Sequence, residues 1–372
     1  MADYVGCLEG GNISVTWIIT NDDIAQVLTV NDCLEVLEET FKDYALGNAA
    51  NRPRSHSYAP MGDDPVQWYM LKTMDAILPR YRVGGIRLTS DNVVEGIVDG
   101  KMRREKPGLA PGGRWTELVF MFSADTGELL AIMHGSYLQR MRVGATSAIA
   151  AKYVARKDSK IAALIGTGGL AGSHLEALSR FFALDEVRVF SPTPEHRQNF
   201  VEDWRPKMPF RLKVVNHPRD AINGADIVSL VTNSLSPVLD EAWAQPGTHI
   251  NSVQRGELDK YTIDRSDLIV IRSADRDSHW YIGAREPEEV KFDLSDSPNL
   301  RRKMQTLGGI MVGKEAGRTS PDQVTLFGGS GLGSAGLAIQ LIAVAARAFE
   351  KCKRQGLGRE LPTELFSQDM HT

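Results

Sequence analysis

Residues 160–197, KIAALIGTGGLAGSHLEALSRFFALDEVRVFSPTPEHR, limit the fold more than any other stretch of the chain. An apolar run from Ile161 to Ile165 enters Gly166-Thr167-Gly168-Gly169-Leu170-Ala171; a helical pattern follows, and a second apolar run holds Val187, Val189 and Phe190. Strand, glycine turn, helix, strand is the order that a dinucleotide pyrophosphate requires. Gly166 permits the tight turn. Gly168, flanked by Gly169 and Leu170, lets backbone approach the phosphates, and small Ala171 lets the helix pack closely with its N-terminal amides facing the anion. A bare G-x-G-x-x-A carries little information; in this context it marks a nicotinamide or flavin dinucleotide site.

The second strand bears on which dinucleotide. A protein preferring NAD usually places Asp or Glu about 20 residues past the glycines, against the ribose 2′-hydroxyl. Here that place reads Phe190-Ser191-Pro192-Thr193, with His196 and Arg197 beyond. No carboxylate repels a 2′-phosphate there, and Ser191, Thr193 and Arg197 offer two hydroxyls and a guanidinium to hold one. NADP(H) is the expectation, with NAD(H) as the alternative.

At 372 residues the chain suits two domains better than one core. A net charge of −4 gives no support to a nucleic-acid or membrane-surface partner. Cys7, Cys33 and Cys352 are odd in number and far apart, which suggests reduced thiols in a cytoplasmic protein and no zinc or disulfide framework. Met1–Asn12 lacks the basic start and apolar centre of a signal peptide. No apolar run reaches the roughly 18 residues of a spanning helix.

Along the chain, Ile13–Ile19 alternates like a strand, Thr20–Asp23 offers helix caps, and Val30, Leu34, Leu37, Phe41 and Tyr44 predict an amphipathic helix ending at Gly47. Asn51–Pro60 reads as a polar connection carrying Arg52, Arg54 and His56. Val66–Leu71 and Gly84–Leu88 read as strands bringing Lys72 and Arg87 near their ends. Asp91–Pro111 reads as a long loop with a basic run, a candidate lid. Glu117–Phe122 and Leu129–Met133 form a predicted hairpin about Asp125-Thr126-Gly127. Ser136–Ala155 is a predicted helix rich in small residues, with Arg140 and Arg142 in its first two turns.

After Arg197 the α/β rhythm continues through Leu212–Val215, Ile227–Val231, His249–Val253 and Leu268–Ile271, predicting a parallel sheet of about six strands. A second G-x-G-x-x-G, Gly331–Gly336, lacks a following strand and is no phosphate loop; its glycines could let backbone approach the nicotinamide end. The helix from Leu337 to Lys353 is apolar on most faces, as a buried or intersubunit helix would be.

Leu138-Gln139-Arg140-Met141-Arg142-Val143-Gly144-Ala145-Thr146-Ser147-Ala148, running into the dinucleotide turn, resembles the ornithine cyclodeaminase/mu-crystallin family. The likeness extends to the hairpin 122–131, to Ala225-Asp226-Ile227-Val228 with Thr232 and Pro237, to Glu257-Leu258-Asp259, and to Gly317-Arg318 ahead of Val324–Phe327. The resemblance implies an α/β chain with a Rossmann-type parallel-sheet domain, residues 141–325. A mixed α+β substrate-binding and dimerisation domain is built from both chain ends, residues 1–140 with 326–372. It also implies a homodimer and chemistry at the α-carbon of a small amino or imino acid, with Thr232 and Val253 at the cofactor crevice.

In this family an arginine early in the helix before the turn binds the substrate carboxylate, and Arg142 matches it. Arg54 matches an arginine in the loop after the first helix. A lysine of the next strand is replaced by Arg87, which keeps the charge but cannot exchange a proton; Lys72 on the preceding strand is the nearest substitute. Lys72 and Arg87 are thus the candidate catalytic residues, and Arg54, Arg142, Lys72 and Arg87 the candidate substrate ligands. Cyclodeaminase members carry an Asp shortly before the Glu-Leu-Asp triplet, and residues 251–257 here have none. The expectation is therefore an NADP-dependent imine reductase or amino-acid dehydrogenase. The alternatives are a cyclodeaminase with tightly bound NAD and a non-catalytic NADPH-binding protein. Trp68, Tyr69, residues 91–111 and His279–Ile282 are candidates for substrate selection.

Overall fold

The computed structural model describes residues 14–62, 66–98, 100–238, 245–254, 256–282, 297–328 and 336–370. Two sheets organise them. The first is mixed, in the order Ser278–Tyr281, Ser55–Pro60, Gln67–Leu78, Val83–Val98, Thr116–Ser123, Leu129–His134, Val15–Ile19, Arg359–Pro362. Ala50–Asn51 adds to Gln67–Leu78, and Lys101–Glu105 to Val83–Val98. Burial alternates along Gln67–Leu78, so Trp68, Met70, Lys72, Met74, Ala76 and Leu78 share the inner face.

The second sheet is parallel throughout its eight strands: Arg211–Val214, Glu186–Phe190, Ile161–Ile165, Ile227–Leu230, His249–Ser252, Thr325–Gly328, Leu268–Ile271, Met304–Thr306. Its central strands are buried on both faces; Leu268–Ile271 is apolar throughout, while Ser229, Thr325, His249 and Asn251 are buried polar members of the others. The strand order reverses beside Ile161–Ile165, the place where open α/β sheets bind ligands.

Thr20 and Thr29 cap successive helices, Asn21–Val27 and Val30–Leu46, each with a reciprocal Asp three residues on, and Gly47 closes the second at φ 82°. The helix Ser136–Val154 packs on Thr325–Gly328 and His249–Ser252 of the parallel sheet and on the helices Ala171–Leu178, Val30–Leu46 and Ala338–Gln355. A Cβ at Gly144 would come within 2.5 Å of Ser173 in the helix Ala171–Leu178, so the two helices touch backbone to backbone there. The last helix, Ala338–Gln355, is buried within the chain against the inner face of the mixed sheet; a Cβ at Gly85 would meet Ile342 Cδ1 at 2.6 Å. Cys33 and Cys352 are buried free thiols, and Cys7 lies outside the described residues.

Three expectations change. Residues 55–60 are a strand, with His56 and Tyr58 facing inward, and not part of a polar connection. The stretch 91–111 is no simple loop: the strand from Val83 continues to Val98, and Lys101–Glu105 returns antiparallel to it. Polar side chains hid the period, because the inward positions include buried Asp91 and Glu95 instead of apolar residues. The parallel sheet has eight strands where about six were expected. Within the segment expected as the dinucleotide domain, Ser278–Tyr281 pairs with Ser55–Pro60 of the other sheet.

Candidate active site

Gly166 takes φ 107°, and a Cβ there would lie 2.6 Å from the Val231 carbonyl oxygen, so only glycine fits. A Cβ at Gly168 would meet nothing within 4 Å, leaving bare, open backbone beside the helix start. Ala171 is fully buried and donates its N–H to Gly168 O at 3.0 Å. His174 ties this helix to Ser136–Val154: Nδ1 donates to Leu170 O at 2.8 Å and Nε2 accepts from Ser147 Oγ at 3.1 Å. Burial pushes this imidazole down to about 4, so it stays neutral.

Thr232 and Val253, at the ends of the neighbouring strands, are held by Glu257. Its fully buried carboxylate accepts from Thr232 N (2.7 Å), Thr232 Oγ1 (2.8 Å), Ser252 Oγ, Val253 N and Gln254 N (each 2.9 Å). Burial raises its carboxyl above the usual range, opposed by these donors. The sequence showed Glu257 only as part of a triplet; its work is to lock both edges of the crevice.

At the second strand Ser191 is buried and Thr193 exposed. Arg197 lies near them but is itself engaged: Nη1 donates to Ser191 O at 2.8 Å, Nη2 to Asn216 Oδ1 at 3.0 Å, and the guanidinium lies over the Phe190 ring. It buttresses the turn from within.

The cations gather between the sheets. Arg54 donates from Nε and Nη2 to Asp277 Oδ2 at 3.1 and 2.6 Å, and Arg87 from Nε and Nη2 to Glu117 Oε1 at 2.9 and 2.6 Å. Lys106 pairs with Asp91 at 2.5 Å. Two of the three arginines expected to hold substrate, Arg54 and Arg87, thus carry a carboxylate of the protein. Arg142 differs: Nε and Nη2 donate to Gln139 Oε1 at 3.0 and 2.7 Å and Nη1 to Gln340 Oε1 at 3.1 Å, with no carboxylate paired to it among the described residues. Burial, then Arg87, Arg272 and Arg54, lower its affinity for its proton; for a guanidinium this means a destabilised cation, not a neutral group. A Cβ at Gly336 would stand 2.9 Å from Arg142 Nη1, so glycine makes room for the fork. The rest of that second glycine run, 331–335, lies outside the described residues.

Lys72 is buried on the inner face and forms no hydrogen bond or ion pair among the described residues. Burial, then the charges of Lys106, Arg87 and Arg54, hold its ammonium well below the usual lysine range, with only Asp91 opposing. Across the ladder stands Thr89, whose buried Oγ1 has no hydrogen-bond partner among the described residues. Arg272, not anticipated from the sequence, joins the group from the end of Leu268–Ile271; its one sequence signal was a charge directly after a wholly apolar strand.

The basic run expected as a lid is tied down. Leu235 N donates to Met102 O at 2.8 Å, Arg104 N to Asn233 O at 3.3 Å, and Met102 N to Ser236 Oγ at 3.0 Å, joining the mixed sheet to the loop after Thr232. Of the selectivity candidates, Trp68 shares the Lys72 face. Tyr69 is on the opposite face, where with Trp280 and Tyr281 it lines a shallow apolar hollow of about 270 Å³.

The model of the ornithine cyclodeaminase/mu-crystallin family matches residues 14–356. An alanine dehydrogenase of Archaeoglobus fulgidus is 27% identical over 354 residues, covering 93% of this chain and 98% of its own. The structure of the Thermococcus litoralis Delta(1)-pyrroline-2-carboxylate reductase in complex with NADH and L-proline superposes with a TM-score of 0.73 at 25% identity, over 93% of this chain and 100% of that one. An archaeal alanine dehydrogenase dimer with bound NAD gives 0.74 at 26% identity, over 93% and 99%. With a full-length match and a shared fold, this chain belongs to the ornithine cyclodeaminase/mu-crystallin family.

Proposed function

We propose that this protein is a nicotinamide-dinucleotide-dependent oxidoreductase that reduces the C=N bond of an α-imino acid to an α-amino acid, or runs the reverse, with NADP(H) preferred to NAD(H). The observation that carries this reading is Arg142, a buried guanidinium held, among the described residues, only by neutral amides, on the helix that leads into the glycine turn. Gly166 and open Gly168 suit a pyrophosphate, with Gly169, Leu170 and Ala171 at the helix start and Thr232 and Val253 at the crevice. The bound dinucleotide would supply or accept hydride.

In this reading Arg142 fixes the substrate α-carboxylate through its planar fork. Arg54 and Arg87, each occupied by its own carboxylate, hold the wall and the positive field instead of grasping substrate directly. Lys72 donates a proton from Nζ to the imine nitrogen as hydride reaches the carbon, and is reprotonated from water; its lowered proton affinity suits that exchange. The NADP preference rests on the absence of an acidic residue at 190–193, with Ser191 and Thr193 at that place. The expected dimer would cover the outer face of the mixed sheet, where Ile86, Leu88, Leu118 and Phe120 are half-buried.

The test is incubation with NADPH and a cyclic imino acid, followed by absorbance of the reduced nicotinamide, beside a parallel incubation with ornithine and NAD assayed for ammonia. Loss of NADPH supports the reductase. Ammonia from the second without net cofactor change would replace it with the cyclodeaminase reading, which the family match allows and the missing Asp before Glu257 opposes.

A further inference from the structure

Arg272 has no use in the chemistry above. It follows a strand buried on both faces, is 3% exposed, and lies with its guanidinium 4.4 Å from the centre of the Phe327 ring. Nε and Nη1 are sealed from solvent, and among the described residues neither has a hydrogen-bond partner and no carboxylate pairs with the group. Its charge is felt at Arg142, and that of Arg54 is felt at Arg272, so the three surround one region.

The balance of charge there is uneven. Arg54, Arg87 and Lys106 are neutralised by Asp277, Glu117 and Asp91. Among the described residues three buried cations of this group have no paired carboxylate: Lys72, Arg142 and Arg272. Lys72 can shed its proton, and Arg142 takes one carboxylate in the proposed function. Arg272 can do neither: a guanidinium does not deprotonate in a protein, and a buried one without a counter-ion is strongly disfavoured. One of its faces is taken by Phe327, and with Nε and Nη1 sealed, Nη2 is the in-plane N–H group through which an entering carboxylate would engage it.

We propose that Arg272 binds a second acidic group of the substrate, so that the site takes an α-imino or α-amino dicarboxylic acid. This rests on the assignment of Arg142 to the first carboxylate. Full-length protein with NADP⁺ is titrated by calorimetry with succinate and glutarate, and with butyrate and valerate as controls of equal length. The dicarboxylates should bind about tenfold tighter or better, and Arg272→Gln should erase that difference while leaving butyrate within about twofold. Should Arg272→Gln not fold, Arg272→Lys, which keeps the charge without the fork, must reduce the preference without removing it.

Turnover is then compared using NADPH, ammonia and 2-oxo acids: oxaloacetate and 2-oxoglutarate against pyruvate and 2-oxopentanoate. A dicarboxylate advantage of about 10² in kcat/KM is expected. Equal binding of both acid classes, or an equal loss of both in Arg272→Gln, overturns the assignment of Arg272. A preserved binding preference with no turnover of any acid overturns the reductase reading and leaves Arg272 as an anion site.

Discussion

The glycine turn and Arg142 of the cation cluster lie toward the same, N-terminal end of Ser136–Val154, and the two sites are made in different ways. The turn is contiguous, Gly166 to Ala171, and its constraints are steric: one positive φ, one blocked Cβ, one open backbone. The cluster draws Arg54, Lys72, Arg87, Arg142 and Arg272 from five separate segments, and its constraints are electrostatic. A steric site tolerates no change in its own few residues. An electrostatic one depends on which counter-ions arrive from elsewhere, and here they decide that Arg87 is spent on Glu117 while Arg142 is not.

The sharpest break between the two should come from Arg142→Ala. It is expected to lower kcat/KM by about 10²–10³, the loss typical of one partner of a buried charge pair, with NADPH affinity unchanged within about twofold. Retained activity would mean that the cluster does not hold substrate; a loss of ligand affinity with no rate to lose would mark a binding protein. On the other side, Gly168→Ala should weaken NADPH binding by about tenfold with little loss of stability, since its Cβ has room. Gly166→Ala should instead cost about 2 kcal/mol in denaturant unfolding as well. Equal behaviour of the two glycines would show that the turn is not discriminating sterics from ligand approach.

Lys72→Met should abolish proton delivery yet stabilise the fold by about 1–2 kcal/mol at neutral pH, because it removes a buried, unpaired charge. The folded-state proton affinity of Lys72 is below its unfolded one, so the penalty for charging it is complete below the folded value and fades as pH rises toward 10.5. Unfolding midpoints of the two proteins should therefore converge in alkali; a constant gap would show that Lys72 is not strained by its charge. The smallest effect expected is in Ser191→Asp, which should shift the NADPH-to-NADH affinity ratio about fivefold toward NADH. Tighter NADH binding by the unaltered protein would remove the NADP assignment.

The parallel sheet and the turn were legible because their determinants are local: buried strands are mostly apolar, and G-x-G-x-x-A sits where strand meets helix. The 91–105 hairpin was not, because Asp91 and Glu95 occupy core-facing positions and their alternation looks like a charged loop until Lys106 comes into contact. Arg142 could be found from its motif; Arg272 could not, since an arginine after a strand reads as solvated until Phe327 and the absence of a counter-ion are seen in space. Arg197 shows the reverse: it lies beside Ser191, but its guanidinium is committed to the backbone of Ser191 and to Asn216.

Both edges of the mixed sheet are finished by residues from the second half of the chain, Ser278–Tyr281 beside Ser55–Pro60 and Arg359–Pro362 beside Val15–Ile18. During synthesis the N-terminal strands therefore emerge and pair long before their outer neighbours exist. Closing such distant pairings comes late and slowly, and until then two open strand edges are presented to other nascent chains. The hazard of mispairing is greatest before residue 360 has left the ribosome, and the last strand to be made is the one that ends it.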